Sequence, residues 1–151
     1  MRISKEGYMT RPYQPSFIVK AGRGGDGFTD SPYQFHTAIH NVDSAFKMTS
    51  GTGQYSYYYP PVAGIYLFTS HAAYQQQGVS FATRIARYNS GGTLQQVWEL
   101  HRNVGFSGSH SGGAGSCLMK CNAGDYVYVF PSYTPYHLNS EYNFFAGYLV
   151  G

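Results

Sequence analysis

The sequence predicts an all-β domain, and three observations predict it. β-Branched and aromatic residues, which suit a pleated half-buried surface, recur along the whole chain; 18% of it is aromatic, with 16 tyrosines. Nineteen glycines and seven prolines fall largely in turn clusters between short segments. No window carries an i, i+3, i+4, i+7 apolar stripe bounded by helix caps. At 151 residues the chain is the right size for one core.

The first strand is expected at 15–20, where Phe17-Ile18-Val19 forms an apolar run behind Pro15. Next come 35–41 and the tyrosine-rich 53–59, then 64–73, whose Ile65-Tyr66-Leu67-Phe68 is dense in strand formers. The segment 79–88 alternates Phe81, Thr83 and Ile85 against Ala82, Arg84 and Ala86. Asn89-Ser90-Gly91-Gly92 is a hairpin turn, because Asn and Gly accept positive φ, and it leads into a strand at 93–101. Strands follow at about 112–121, at 125–131, where Tyr126 and Tyr128 alternate with Val127 and Val129, and at 142–150. So many strands in one domain predict a two-sheet sandwich, with the jelly roll as the leading architecture. Residues 1–14 are read as a connector and 15–151 as the folded head.

Charge excludes several functions. Only 11% of the residues are charged, and the net +3 resides in the first twenty, where Arg2, Lys5, Arg11 and Lys20 face Glu6 alone. The rest balances, so the body lacks the concentrated basic face that nucleic acid requires. No apolar run approaches the roughly 20 residues of a membrane-spanning helix, and Met1-Arg2-Ile3-Ser4-Lys5-Glu6 leads into no apolar stretch of a secretory signal. Cys117 and Cys121 would share one side of a strand about 13 Å apart, too far for a disulfide. Reduced thiols, together with the absence of any Asn-x-Ser/Thr acceptor, fit assembly in a reducing compartment.

Candidate chemistry is sparse. Gly22-Arg23-Gly24-Gly25-Asp26-Gly27 matches a dinucleotide-binding pattern, but Phe28–Tyr33 supplies no helix to hold a pyrophosphate, so no cofactor is expected. His36 and His40 lie about 13 Å apart on a strand, outside the reach of one metal ion, and no metal site is expected within one chain. Gly105-Phe106-Ser107-Gly108-Ser109 is not a nucleophile elbow, and the seven acids form no catalytic pair. The expectation is a protein that is not an enzyme.

At 58–68 the chain reads Tyr-Tyr-Pro-Pro-Val-Ala-Gly-Ile-Tyr-Leu-Phe. This resembles the aromatic-x-x-Pro-x-x-Gly-x-Tyr-x-Phe signature of globular heads of the complement 1q type, in the tumour-necrosis-factor-like superfamily. Ala123-Gly-Asp-Tyr-Val-Tyr-Val129 is similar to that family's Ala-Gly-Asp-x-Val-x-Val, and Phe145-Ala-Gly-Tyr-Leu-Val150 to its terminal strand. Phe17 and Asn41 match further family positions; Ala146 in place of Ser, a Gly/Ser-rich 102–116 and the lack of a collagen repeat depart from the pattern. The resemblance covers 15–151. It implies a jelly-roll sandwich of about ten antiparallel strands assembled as a tight homotrimer.

With that fold implied, the reading is a non-enzymatic head on a virion surface or tail fibre. It is carried on the N-terminal tail and attaches to a host-surface glycan or protein, or decorates the virion. The alternative is a secreted recognition or signalling ligand of the same fold; a glycan-cleaving tailspike is the third. Strand parity puts the tight turns 60–63, 89–92 and 122–124 at the tail end and the connections near 74–78, 102–111 and 131–141 at the distal end. Long loops carry recognition, so Arg102, Phe106, His110, Tyr133, Tyr136 and His137 are the expected ligand contacts. The tyrosine surplus fits an adhesive surface, since tyrosine gives rigid area and a hydroxyl at low entropic cost and stacks on sugar rings.

Overall fold

The computed structural model describes residues 2–3, 9–10, 14–20, 32–48, 56–74, 80–104, 111–131 and 142–150. Its strands are β1 (Arg2–Ile3), β2 (Met9–Thr10), β3 (Ser16–Lys20), β4 (Thr37–Asn41), β5 (Phe46–Lys47) and β6 (Tyr57–Tyr58). They continue as β7 (Gly64–Tyr74), β8 (Phe81–Tyr88), β9 (Leu94–Asn103), β10 (Ser111–Cys121), β11 (Tyr126–Pro131) and β12 (Phe144–Leu149). β1 and β2 pair with each other inside the segment read as a connector. The other ten strands form two five-stranded antiparallel sheets, β10-β7-β12-β3-β4 and β5-β6-β11-β8-β9. A 3₁₀ turn, Val42–Ser44, joins β4 to β5, and no helix among the described residues is long and apolar enough to cross a membrane. The all-β expectation stands.

Alternation decides which side chains meet between the sheets. From the first sheet come Phe17 and Val19, Tyr66 and Phe68, Cys117, Met119 and Cys121, and Phe145; from the second come Phe46, Tyr58, Ile85, Val127 and Val129. Phe17 is central, stacked on Tyr58 at 4.4 Å and on Phe46 at 5.0 Å, with the Phe145 ring edge-on at 4.8 Å. Gly147 lies under this cluster, where an added Cβ would fall 2.6 Å from Phe68 Cδ1 and 2.8 Å from Phe17 Cε1. Both neighbours are locked rings, so Gly147→Ala is expected to destabilise the fold by about 2 kcal/mol through overpacking, read from the midpoint of urea unfolding.

The two-residue strand β5 was not foreseen. Asn41 builds it: its side-chain amide donates to the Phe46 carbonyl and accepts from the Phe46 amide, both at 3.0 Å, acting as one more rung of a ladder. Asp43 and Ser44, with φ of 56° and 52°, turn the chain between them.

Cys117 and Cys121 are free and buried, and burial pushes both thiols up to about 12 from 9.0. Between those values the unfolded chain has lost thiol protons that the native state keeps, so stability falls as pH rises. Each thiol contributes a slope of about 1.4 kcal/mol per pH unit. Chemical denaturation at a series of pH values from 8 to 11 is expected to show this decline, and thiolate absorbance is expected to appear only with unfolding.

Three tight turns gather at one end. The Gly124 amide donates to the Pro60 carbonyl at 3.3 Å, and a side chain at Gly124 would meet Ser90 at 3.8 Å. Asn89 Oδ1 accepts from the amides of Gly91 and Thr93, and Gly92 takes a φ of +80°. The Leu149 amide reaches the Pro15 carbonyl at 2.9 Å, placing the entry to β3 at this same end. Strand parity therefore places the turns as the sequence predicts. Beneath them Arg87, on an inward position of β8, donates from Nη1 to Asp125 Oδ2 at 2.8 Å, and that oxygen also accepts the Asn122 amide at 2.9 Å.

Candidate recognition surface

The outward side of the second sheet is a tyrosine surface. Alternation that sends Val127 and Val129 into the core sends Tyr126, Tyr128 and Phe130 outward, and register places Tyr88 directly opposite Tyr126 and Ala86 opposite Tyr128. The rings of Tyr88, Tyr126 and Tyr128 lie within 19° of parallel, with centroids 5.3 Å to 6.5 Å apart. Tyr57, from β6, stands across this comb at 86° to both Tyr126 and Tyr128, each at 5.5 Å. Tyr59 extends the surface, 37% exposed and 6.2 Å from both Tyr57 and Tyr126. These are offset and edge-to-face contacts, each worth about 1 kcal/mol, so the rings are held in place before any ligand arrives. Burial raises the phenols of Tyr126 and Tyr128 above their ordinary range; Tyr128 is buried among its neighbours and hydrogen-bonded to Tyr88, whereas the partly open Tyr126 keeps its hydroxyl protonated as a donor and acceptor.

Toward the other end of this surface the chemistry becomes ionic. Arg84 stands opposite both Phe130 and Glu99, with its guanidinium carbon 5.9 Å from the Phe130 ring centre. Arg102 grips Glu99 through a two-pronged contact, Nε to Oε1 and Nη2 to Oε2, both at 2.7 Å, and Arg84 Nε reaches Oε2 at 3.2 Å. The Arg102 hydrogen bond, followed by that of Arg84, holds the Glu99 carboxyl below its usual range. On the opposite margin, Lys47 is exposed in register with Tyr57.

The outward side of the first sheet carries an apolar patch in its middle, bordered by the exposed Lys120 opposite Ile65 and by Thr69, Ser116, Ser16 and His40. Leu118 lies opposite Leu67 and Leu67 opposite Tyr148; Ala146 and Ile18 form the next row, and Ile65 lies toward the turn end. Leu118 is 55% exposed, and Ile18, Ile65 and Tyr148 are also open to solvent. The five strands of this sheet contain no Asp or Glu. Where β10 meets β9 of the other sheet, an open groove of about 420 Å³ is lined by Leu67, Trp98, Ser116, Cys117 and Leu118. The glycines of 111–116 allow this approach: a Cβ on Gly115 would fall 2.6 Å from the Leu100 carbonyl oxygen.

No family model and no curated protein sequence matches the chain. Solved structures do. The globular domain of zebrafish complement 1qA superimposes with a TM-score of 0.69 at 19% identity, over 91% of this chain and 98% of that one. Murine APRIL, in its pH 5.0 crystal structure, gives 0.67 at 11% identity over 91% and 99%. The chain has the complement 1q and tumour-necrosis-factor-like jelly-roll fold.

In this jelly roll the residues that carried the resemblance are architectural. Tyr66 and Phe68 fill the core, Asp125 clamps the turn after β10, Asn41 bridges to β5, and Tyr148 lies on the open apolar face. Of the six ligand contacts expected from sequence, Arg102 lies near the end of β9, half exposed on the tyrosine side of the sandwich. Phe106, His110, Tyr133, Tyr136 and His137 lie outside the described residues. His40, read as a strand histidine, is exposed and within 2.8 Å of Ser16 Oγ. Among the described residues no three His, Cys, Asp or Glu side chains converge.

Sequence reasoning did not single out Tyr57, Tyr59, Tyr88, Tyr126 and Tyr128 as a site. The alternation at 126–129 gave part of the signal, but strand register alone brings Tyr57 and Tyr88 alongside.

Proposed function

We propose that this protein is a non-enzymatic, homotrimeric recognition head. It is displayed through its N-terminal tail on a virion surface or tail fibre and attaches to glycans on a host surface. The observation that carries the reading is the contrast between the two outward faces of one sandwich: an acid-free face with an exposed apolar patch on the first sheet and a preorganised tyrosine comb on the second. The aliphatic face and its groove fit burial against neighbouring copies, since soluble proteins rarely leave such patches bare. The comb then faces outward, and its stacked rings and hydroxyls suit sugars. Arg102, near the end of β9 on the side of the comb, is one of the ligand contacts expected from sequence, and we propose Phe106, His110, Tyr133, Tyr136 and His137 as further contacts.

The test is an array of bacterial and eukaryotic surface glycans probed with wild type and Tyr126→Ala. Binding to a glycan set that Tyr126→Ala loses, without loss of fold, supports the reading. Unchanged binding by the variant moves the site away from the comb, and no glycan binding by wild type overturns it.

A second reading, a secreted recognition or signalling ligand, draws support from the likeness to the zebrafish complement 1qA domain and murine APRIL. The buried reduced thiols and the lack of a glycosylation acceptor favour the first reading.

A further inference from the structure

We propose that Tyr88 and Tyr126 form an oxidative cross-linking site. Hydrogen peroxide, acting through a one-electron oxidant of the haem-peroxidase class, joins the two rings as dityrosine and ties β8 to β11. The inference concerns the chemistry of the comb itself and is independent of what the face binds.

Register and ring geometry carry it. Tyr88 and Tyr126 are direct cross-strand partners, so their Cβ atoms lie about 5 Å apart on one face of the sheet. Their rings are 9° from parallel with centroids 5.3 Å apart, closer and flatter than the other tyrosine pairs of the comb described above. Neighbours hold both rings in place: Tyr128 stacks on Tyr88 at 5.6 Å, and Tyr57 stands edge-on to Tyr126 at 5.5 Å. Tyr88 and Tyr126 are only partly buried, which leaves them within reach of an oxidant at the surface, whereas Tyr128 is buried. The competing reductants are shut away. Cys117 and Cys121 are buried in the core, and that burial keeps them as thiols rather than the more reactive thiolates.

The step balances. Each phenol gives one electron and one proton to the oxidant and becomes a phenoxyl radical. The two radicals couple through the ring carbons beside their hydroxyls, forming one C–C bond. The hydrogen on each joined carbon then moves to the oxygen, which restores both aromatic rings and both hydroxyls. Hydrogen peroxide takes up the two electrons and two protons as its O–O bond breaks, leaving two waters. Coupling needs two radicals side by side, and rings already held in contact supply that proximity. Exposure alone would instead favour Tyr59 and Tyr142, linking one molecule to another. The bond between 88 and 126 would close a long loop in the unfolded chain, as a disulfide does.

The experiment treats a dilute solution of the full chain with hydrogen peroxide and a haem peroxidase, then digests it and sorts the peptides by mass. Dityrosine fluorescence is expected to appear while the protein keeps its single-chain mobility on a denaturing gel. The digest should contain residues 88 and 126 in one linked peptide pair, lighter by two hydrogen atoms than the separate peptides together. Tyr88→Phe and Tyr126→Phe keep the ring but lack the hydroxyl, so each should lose that product with circular dichroism unchanged. Peptides treated after digestion should not yield it, because the fold makes the pair. Dityrosine formed only between chains overturns the inference. So does an intrachain product that survives both Phe variants, and so does the absence of dityrosine.

Discussion

Asp125→Ala is expected to destabilise the domain by about 3–5 kcal/mol, enough to unfold much of the population at physiological temperature. The size follows from what is left behind. Arg87 is 15% exposed and Asp125 4% exposed, so removing the carboxylate strands a guanidinium in the sandwich interior. Arg87 Nε already has no partner in the described structure, and losing the Nη1 contact deprives the cation of its remaining carboxylate. The Asn122 amide also loses its acceptor, which loosens the turn that packs on Pro60. A compensated variant separates the charge from the turn: Arg87→Met with Asp125→Asn removes both charges and keeps an oxygen for Asn122. It is expected to recover most of the lost stability, because a buried ion pair can be replaced by apolar packing at little net cost. Urea midpoints of the single and double variants decide it; a mild effect of Asp125→Ala would mean that water reaches Arg87 freely.

Leu118→Arg is expected to convert the proposed trimer to monomers while leaving the subunit folded. In an isolated subunit Leu118 is 55% exposed, and a long cation there costs within about 0.5 kcal/mol. In a threefold seam the same side chain would be desolvated against Leu67 and the groove beside Trp98, with no acid on any of the five strands to receive it. An unpaired buried charge costs several kcal/mol, and symmetry repeats that cost at every interface. Leu118→Ser, shorter and neutral, should weaken association less. Sedimentation velocity with circular dichroism distinguishes a dissociated native subunit from an unfolded one.

Most of the strand plan was legible in the sequence because local chemistry decides it. Asn89–Gly92 made its hairpin, and the alternation read at 81–86 and 126–129 falls in β8 and β11. The family motifs pointed to the fold because Gly147, Tyr66 and Phe68 do jobs that few residues can do. What stayed hidden depends on long-range register. β5 is held by a side chain five residues away, and no propensity of Phe46-Lys47 announces it. The strand at 112–121 was legible, but not why its start is Gly-rich: the bare backbone permits close passage against Leu100. The tyrosine comb assembles from three strands distant in sequence. Parity could place loops at an end but could not place Tyr57 across Tyr126, so the flank of the sandwich went unnoticed beside its distal loops.

The solution mass of the wild-type chain at micromolar concentration tests the central claim most directly, because the outward comb presupposes that the opposite face is covered. Sedimentation equilibrium is expected to return three times the 16.7 kDa of one chain, independent of dilution over a tenfold range. A stable mass of one chain, with the Leu67–Leu118 face open to water, would contradict it.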